Sequence, residues 1–365
     1  MILKTIAHFF GRILLGINAL VAILMLLSGF SSYINPYAMP VLSCAGLAFP
    51  VFLLLNLLFF FFWLLFRRKY ALFPLAVMFA CIMPIRTYFP INIHKQQVSD
   101  DAIKILSYNV MSFDEHKLHT KGDSNEIVRY IQQMDADIVC LQEATFNNSN
   151  PKKFLSEKSF REAMSAYPYC SHYKVRGNGW ICLSRYPILS AHFVEYESPG
   201  NGSMAYELKV GTDTLLLINN HLESNKLSLD DRAAYREMIV DPKEEKVKST
   251  SKRLIGKVVD AVSVRAAQAD AVAKYVRDSK HKYVVVCGDF NDSPLSYAHR
   301  VIGEGLNDAF IDTGNGLGIS FNRSGFYFRI DHIMASDNWQ LLDCEVDRSI
   351  KASDHYPIWC YMRKK

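Results

Sequence analysis

The sequence predicts an α/β domain carried behind a membrane-embedded region, and three observations lead there. Residues 1 to 95 hold no Asp or Glu and only seven of the 41 Lys and Arg, leaving 34 basic and 36 acidic side chains for the rest of the chain. Beyond residue 96, short apolar runs of strand length alternate with helical patterns, which is the α/β signature. Several of those runs end in carboxylates, amides or histidines. With 365 residues, 50% of them hydrophobic, the chain has room for two ordinary domains or for one domain and a membrane region; the charges select the second.

In the first 95 residues, Ile13 to Phe30 is an uncharged run of 18, and Met39 to Phe66 is one of 28 that meets the basic cluster Arg67-Arg68-Lys69. A bilayer takes about 20 apolar residues. Tyr70 to Ile85, a third run of 16 carrying Pro74 and Pro84, is a marginal span. No soluble core needs so long a charge-free, Phe-rich stretch as the first two. A cleaved signal peptide is disfavoured, because further apolar runs follow and a small-residue cleavage site does not. The expected organisation is a membrane region over 1–95, with two or three transmembrane helices at about 13–30, 39–66 and 70–88, then one domain over 96–365. Lys4 and Arg12 flank the first span, Ser31 to Ala38 is free of basic residues, and the triple cluster follows the second. That puts the N-terminus and Arg67 to Lys69 in the cytoplasm. If the third run crosses, the domain is extracytoplasmic, as in an integral protein of a bacterial inner membrane; if it is re-entrant, the domain stays inside.

A polar segment, Asn92 to Asp101, leads to a strand from Ile103 to Ser107 that ends at Asn109. Ser124 can cap a helix through Met134 with Ile127 and Ile131 on one face. The strand Ile138 to Leu141 ends on Glu143, and a carboxylate there is costly if buried without a cation. Gly177 to Pro187 reads as a glycine turn and a strand, with Arg185 facing phosphate or held in an ion pair. Leu215 to Asn219 is a buried strand leading to His221. The connection Glu223 to Lys280 is too long for a plain loop. Val262, Ala266, Ala269, Ala273 and Val276 make its second half an amphipathic helix. Pro242 to Lys257, with six basic and two acidic residues, is either a solvated face or a flap over an anionic substrate or lipid surface.

Tyr283 to Ser293 reads Y-V-V-V-C-G-D-F-N-D-S, a buried strand that Gly288 breaks just as acids and an amide arrive. In extended chain Asp289 and Asn291 project on the same side, one able to bind a cation or deprotonate water and the other to orient it. The alternative is an Asx-rich turn. Phe326-Tyr327-Phe328 precedes Asp331 as an edge strand or as a surface for a base or lipid, and Ser353-Asp354-His355 precedes a last strand, Pro357 to Tyr361. Cys140, Cys182, Cys287 and Cys360 fall in apolar runs as small core residues. No C-x-x-C spacing suggests zinc, and no disulfide is assigned.

Five strand-end clusters occur in order: S-Y-N-V with Asn109; L-Q-E with Glu143; N-N-H-L with Asn219 and His221; G-D-F-N with Asp289 and Asn291; and R-I-D-H-I with S-D-H-Y-P, giving Asp331, Asp354 and His355. From about Ile103 to Met362 the sequence resembles the endonuclease/exonuclease/phosphatase superfamily. The resemblance implies two mixed β-sheets packed face to face with outer helices, a four-layer sandwich, and a metal-dependent phosphoesterase. It implies Mg²⁺ or Mn²⁺ held by Glu143 with Asn109 and Asp354, with Asp289 as general base and Asn291 orienting water and phosphate. His221 would contact the scissile phosphate and donate to the leaving oxygen, and His355, polarised by Asp331, would bind the phosphoryl oxygens. Abasic-site endonucleases carry an Asp two residues after the first Asn; Met111 stands there, which weakens that particular activity.

The near-neutral domain lacks the basic excess of a protein that grips long nucleic acid, so a small or lipid-borne phosphate ester is preferred over duplex DNA. A nuclease is the alternative within the class. An inactive membrane-tethered binding module is the alternative outside it, disfavoured because such a module has no need for Glu143, Asp289, Asp331 and His355 together. The expected partners are the bilayer, through the N-terminal helices, and the phosphate-ester substrate, with no protein partner evident.

Overall fold

The computed structural model describes residues 2–93, 96–118, 125–150, 152–242, 244–323 and 326–365. The N-terminal region is helical: α1 (Ile2–Gly29), α2 (Pro40–Ser43), α3 (Phe49–Phe66), α4 (Arg68–Ala80) and α5 (Ile82–Tyr88), with 3₁₀ turns at Ser31–Tyr33 and Cys44–Ala48. Two segments, Phe9–Gly29 and Pro40–Phe66, are long and apolar enough to cross a membrane. The α4–α5 pair passes the same test together but is bent by 62°. Pro84 supplies a reason for the bend, since it lacks the N–H that would bond the carbonyl of Ala80. Polar side chains inside the bundle bond across helices, Trp63 Nε1 to Asn18 Oδ1 at 3.0 Å and Asn56 Nδ2 to the Val21 carbonyl at 3.4 Å.

The domain begins with β1 (Ile103–Asn109), α6 (Met111–Glu115), α7 (Glu126–Met134), β2 (Ile138–Gln142), α8 (Glu157–Ala163), β3 (Tyr169–Val175), β4 (Asn178–Ser184), β5 (Ile188–Phe193), β6 (Gly202–Val210) and β7 (Asp213–His221). It continues with α9 (Leu229–Val240), α10 (Glu244–Asp278), β8 (Tyr283–Asp289), α11 (Tyr297–Ile302), β9 (Leu306–Asp308), α12 (Ala309–Thr313), β10 (Phe321–Arg323), β11 (Phe326–Phe328), β12 (Asp331–Ser336), β13 (Trp339–Val346) and β14 (Ile358–Lys364). These strands form two six-stranded sheets, β13-β14-β1-β2-β4-β3 and β5-β6-β7-β8-β12-β9, and a separate β10–β11 ribbon. Each sheet is mixed, with one parallel pair, β1 with β2 and β7 with β8.

Period-two alternation explains the layering. Ile105, Cys140, Leu217, Val285 and Cys287 face the space between the sheets. Their neighbours Leu106, Val139 and Leu141 pack outward on Ile127 and Ile131 of α7. Leu216, Ile218, Val284 and Val286 pack outward on Ala269 and Val272 of α10. Each fully buried Val, Leu or Ile among them contributes about 1.5–3 kcal/mol of transfer free energy. The result is the expected four-layer sandwich.

Several local expectations need correction. Gly288 does not break the central strand; β8 runs through it to Asp289. Its φ of +122° and the neighbouring β7 require glycine, because a Cβ would lie 2.1 Å from the Asn220 carbonyl oxygen. Helix α7 is capped by Asn125, whose Oδ1 accepts from the backbone of Ile127 and Val128, while Ser124 lies outside the described residues. The basic run is helical: from Glu244 on it forms the first turns of the 35-residue α10. There Arg253 and Lys257 pair with the buried Asp231 of α9. Arg185 is taken up in ion pairs with Asp135 and Asp137. All eight cysteines are free thiols.

Candidate active site

Strand register assembles the site. His221, the last residue of β7, lies beside Asp289 at the end of β8, and Asp289 lies beside Asp331 at the start of β12. Three of the sequence-predicted residues thus occupy one row across three adjacent strands. Asn109 and Glu143, from the ends of β1 and β2 in the other sheet, face this row: Asn109 Nδ2 donates to Glu143 Oε1 and to Asp289 Oδ2, both at 3.0 Å. The sheets are tied just below, where Gln142 Nε2 donates to Asn219 Oδ1 at 2.6 Å and Asn219 Nδ2 donates to the Leu141 carbonyl at 3.1 Å. Asn219 therefore joins the sheets rather than facing the rim.

The strand ends then turn. Asp289 Oδ1 accepts from the Asn291 backbone N–H at 2.8 Å, an Asx turn with Asn291 at φ +53°. The expectation that the two side chains align in extended chain is corrected by this turn. It swings the Asn291 amide back, so that Nδ2 donates to Asp289 Oδ2 at 3.2 Å and to the Leu222 carbonyl at 3.0 Å. Glu143 is also left-handed, at φ +52°. Opposite it, Met111 to His116 form a run of consecutive positive φ values, a conformation costing about 1–2 kcal/mol per residue. Packing holds the run in place: Phe113 is fully buried against Phe146 and Phe160, and the Ser112 N–H donates to the Glu143 carbonyl at 2.9 Å.

Electrostatics divide the carboxylates from the imidazoles. Burial pushes the Asp289 carboxyl above its usual range and Asp331 adds to this, while His355, His221 and the Asn109 amide pull it back. His355 Nδ1 lies 2.8 Å from Asp331 Oδ2 and Nε2 lies 3.6 Å from Asp289 Oδ2. Burial opposes charge on this imidazole, but Asp331 and Asp289 outweigh it and hold the pKa well above the ordinary value. His221 Nδ1 sits 3.0 Å from Asn178 Nδ2, which can only donate, so the ring proton belongs on Nε2. That atom lies 3.5 Å from Glu143 Oε1 and 3.7 Å from Asp289 Oδ2.

Two predicted residues are oriented in unforeseen ways. Asn109 Oδ1 is occupied by the Met111 backbone N–H at 3.1 Å, so the side chain presents its donor, not its oxygen, to the carboxylates. Asp354 pairs with Arg323, Nε to Oδ2 at 3.4 Å. Sequence reasoning missed three supports. Asn178 fixes the His221 tautomer; Ser320 Oγ accepts from the backbone N–H groups of Ile330 and Asp331; and the buried Arg265 of α10 binds Asp292 at 3.1 Å and the Glu223 carbonyl at 2.8 Å. Asn178 lay in the G-N-G-W turn, a visible signal; the other two are distant pairings with no local mark.

The donor set fits a divalent cation. Glu143, Asp289 and Asp331 supply hard oxygens, and Asp331 Oδ1 is buried with no hydrogen-bond partner.

Residues 106–355 match the Endonuclease/Exonuclease/phosphatase family, and residues 11–88 match a domain family of unknown function. A search of curated proteins finds no match. Among solved structures, an endonuclease/exonuclease/phosphatase from Beutenbergia cavernae is similar at TM-score 0.51 and 16% identity, covering 72% of each chain. One from Bacteroides vulgatus is similar at TM-score 0.50 and 13% identity, over 72% of this chain and 99% of that one. D. rerio TDP2 complexed with single strand DNA product is similar at TM-score 0.50 and 14% identity, over 73% and 100%. Identities this low carry the fold alone, whereas the family match spans more than half the chain. The chain belongs to the endonuclease/exonuclease/phosphatase family, whose members are metal-dependent phosphoester hydrolases.

Proposed function

We propose that the chain is a membrane-anchored, divalent-metal-dependent phosphoesterase that hydrolyses a phosphodiester or phosphomonoester by in-line attack of an activated water. The observation that carries this is the row His221–Asp289–Asp331, with His355 bonded to Asp331 and with Asn109 and Glu143 facing it. Asp289 takes the proton of the attacking water; its raised pKa brings it nearer the basicity that role needs. Asn291, fixed by two hydrogen bonds, orients the water and the phosphate. Cationic His355 binds the phosphoryl oxygens, and His221 donates from Nε2 to the leaving oxygen. Glu143, aligned by Asn109, is the carboxylate ligand for Mg²⁺ or Mn²⁺, and Asp354, on the Arg323 side of the rim, is a further anionic donor. The cation, when bound, supplies neutralisation of charge on the non-bridging oxygens.

The same reading has three membrane crossings and an extracytoplasmic domain. The 31–48 turn and the end of α5 both touch the domain, through Ser31 Oγ to the Leu295 carbonyl at 3.2 Å and through Arg329 to the Thr87 carbonyl. Both therefore lie on the domain's side of the bilayer. The N-terminus and Arg67 to Lys69, one crossing away, fall on the other side, which their charge makes the cytoplasm. The test is a panel of plasmid DNA, RNA, phospholipids and inositol phosphates offered to the detergent-solubilised protein with Mg²⁺ or Mn²⁺. Turnover of a phosphate ester, lost in Asp289→Ala, is expected. Absence of turnover across the panel with the metal-loaded protein would favour the binding-module alternative.

A further inference from the structure

We propose that the phosphate ester is carried by the bilayer: the catalytic mouth is held at the membrane surface, and the site takes a lipid-borne substrate in place of a freely dissolved one. This rests on the phosphoesterase reading and names its substrate class. Leu295, four residues after Asn291, is buried in the apolar cluster of the membrane bundle, with Ala22, Met25, Phe49, Val77 and Cys81. The catalytic loop is thus part of the bundle's own core. Around it, a Cβ on Gly46 would lie 2.8 Å from the Leu295 carbonyl oxygen, which gives the closeness of the approach. Arg300 Nε donates to the Ser32 carbonyl at 2.9 Å, and its guanidinium stacks 5.1 Å from the Tyr33 ring centre. A second clamp holds the chain just before β12. Arg329, two residues before Asp331 and buried, donates to the Thr87 carbonyl, and Asn92 Nδ2 donates to the Gly314 carbonyl at 2.6 Å.

The two clamps hold the segment between Asp289 and Asp331 at two points, so the rim cannot swing away from the ends of the transmembrane helices without breaking them. The surroundings of the mouth suit an interface. Phe321 lies 5.1 Å from the His355 ring and under the Arg232 guanidinium of α9, and Tyr235 of α9 packs on Phe326. Tyr327 of that ribbon is 53% exposed, and Val240, at the end of α9, is 78% exposed. Apolar groups left in water beside basic ones match a headgroup layer. The domain's 34 basic and 36 acidic residues offer no comparable excess for a long polyanion.

The test uses the full chain reconstituted in vesicles with Mg²⁺ or Mn²⁺. Five substrates are compared: a diacyl phosphodiester lipid in the vesicle, its deacylated water-soluble counterpart, RNA, plasmid DNA, and a soluble chromogenic diester that reports the catalytic chemistry alone. The lipid is expected to be turned over about a hundredfold more efficiently than the deacylated compound, the range that a high local concentration gives. Arg300→Gln, or Tyr33→Ala if the first fails to fold, should reduce that advantage about tenfold while chromogenic turnover persists. Equal turnover of lipid and deacylated compound, or preferential cleavage of RNA or plasmid, with the chromogenic diester still hydrolysed, would overturn the lipid assignment and leave the phosphoesterase standing. No hydrolysis of the chromogenic diester would overturn the catalytic reading and this proposal with it.

Discussion

Replacing Asp289 by Asn separates function from stability at one position. The side chain is 1% exposed and its carboxyl is held above the usual range by burial first and by Asp331 second. A carboxyl whose folded pKa exceeds its unfolded value, about 3.9, binds its proton more tightly in the fold. Stability is therefore lost as pH rises from that value through the folded pKa, and at neutral pH the ionised group opposes folding. The Asp289→Asn substitution removes this opposition. It also turns an NH₂ toward Asn109 or Asn291, forfeiting one or two hydrogen bonds of about 1 kcal/mol each. The two effects oppose each other, so the melting temperature should stay within about 4 °C of wild type. Loss of the general base, in contrast, should lower kcat by about a hundredfold to ten-thousandfold, or about 2.7–5.4 kcal/mol in the barrier. The assay is kcat on a chromogenic diester beside a thermal melt of the same preparation. A kcat within tenfold of wild type would refute the assignment; a kcat loss accompanied by a large drop in melting temperature would show that Asp289 holds the fold instead.

Asp331→Asn removes the partner that keeps His355 charged while leaving the burial that opposes charge, so the pKa of His355 should fall. Wild type should then keep its activity to higher pH than the variant, whose kcat/KM begins to fall, by about tenfold per unit, at a lower pH; superimposable profiles would contradict this. Gly288→Ala forces a Cβ to 2.1 Å from the Asn220 oxygen at φ +122° and should destabilise the chain by about 3 kcal/mol or more, seen as a lower melt; an unchanged melt would show that β7 can move aside. A reporter fused after Lys365 should read a non-cytoplasmic location, and cytoplasmic activity would mean that the bent α4–α5 pair does not cross.

Legibility in the sequence followed how local each cause was. The strands ending at Asn109, Glu143, His221 and Asp289 were marked by apolar runs that a two-residue period must bury, and the α10 face by its three- and four-residue spacing. The pairing of His221, Asp289 and Asp331 was not, because register and strand order are set by contacts far apart in sequence. Gly288 misled, since glycine marks both a strand end and a point where another backbone comes close. The Asx turn at Asn291 and the left-handed run from Met111 are held by packing with Phe113 and by hydrogen bonds to Glu143 and Asp289, none of which a local pattern records. Asn178 sits beside Gly177, where the local pattern shows only turn chemistry, because its partner His221 belongs to the opposite sheet.

The central claim is that this rim hydrolyses a phosphate ester with a divalent cation held at Glu143. Initial rates on a soluble chromogenic diester, measured against free Mg²⁺ or Mn²⁺ for wild type and Glu143→Gln, test it most directly. Wild-type rate should rise from nothing in chelator to saturation, and Glu143→Gln should need far more metal to reach a lower plateau; full activity in excess chelator, or identical metal curves for the two proteins, would contradict the account.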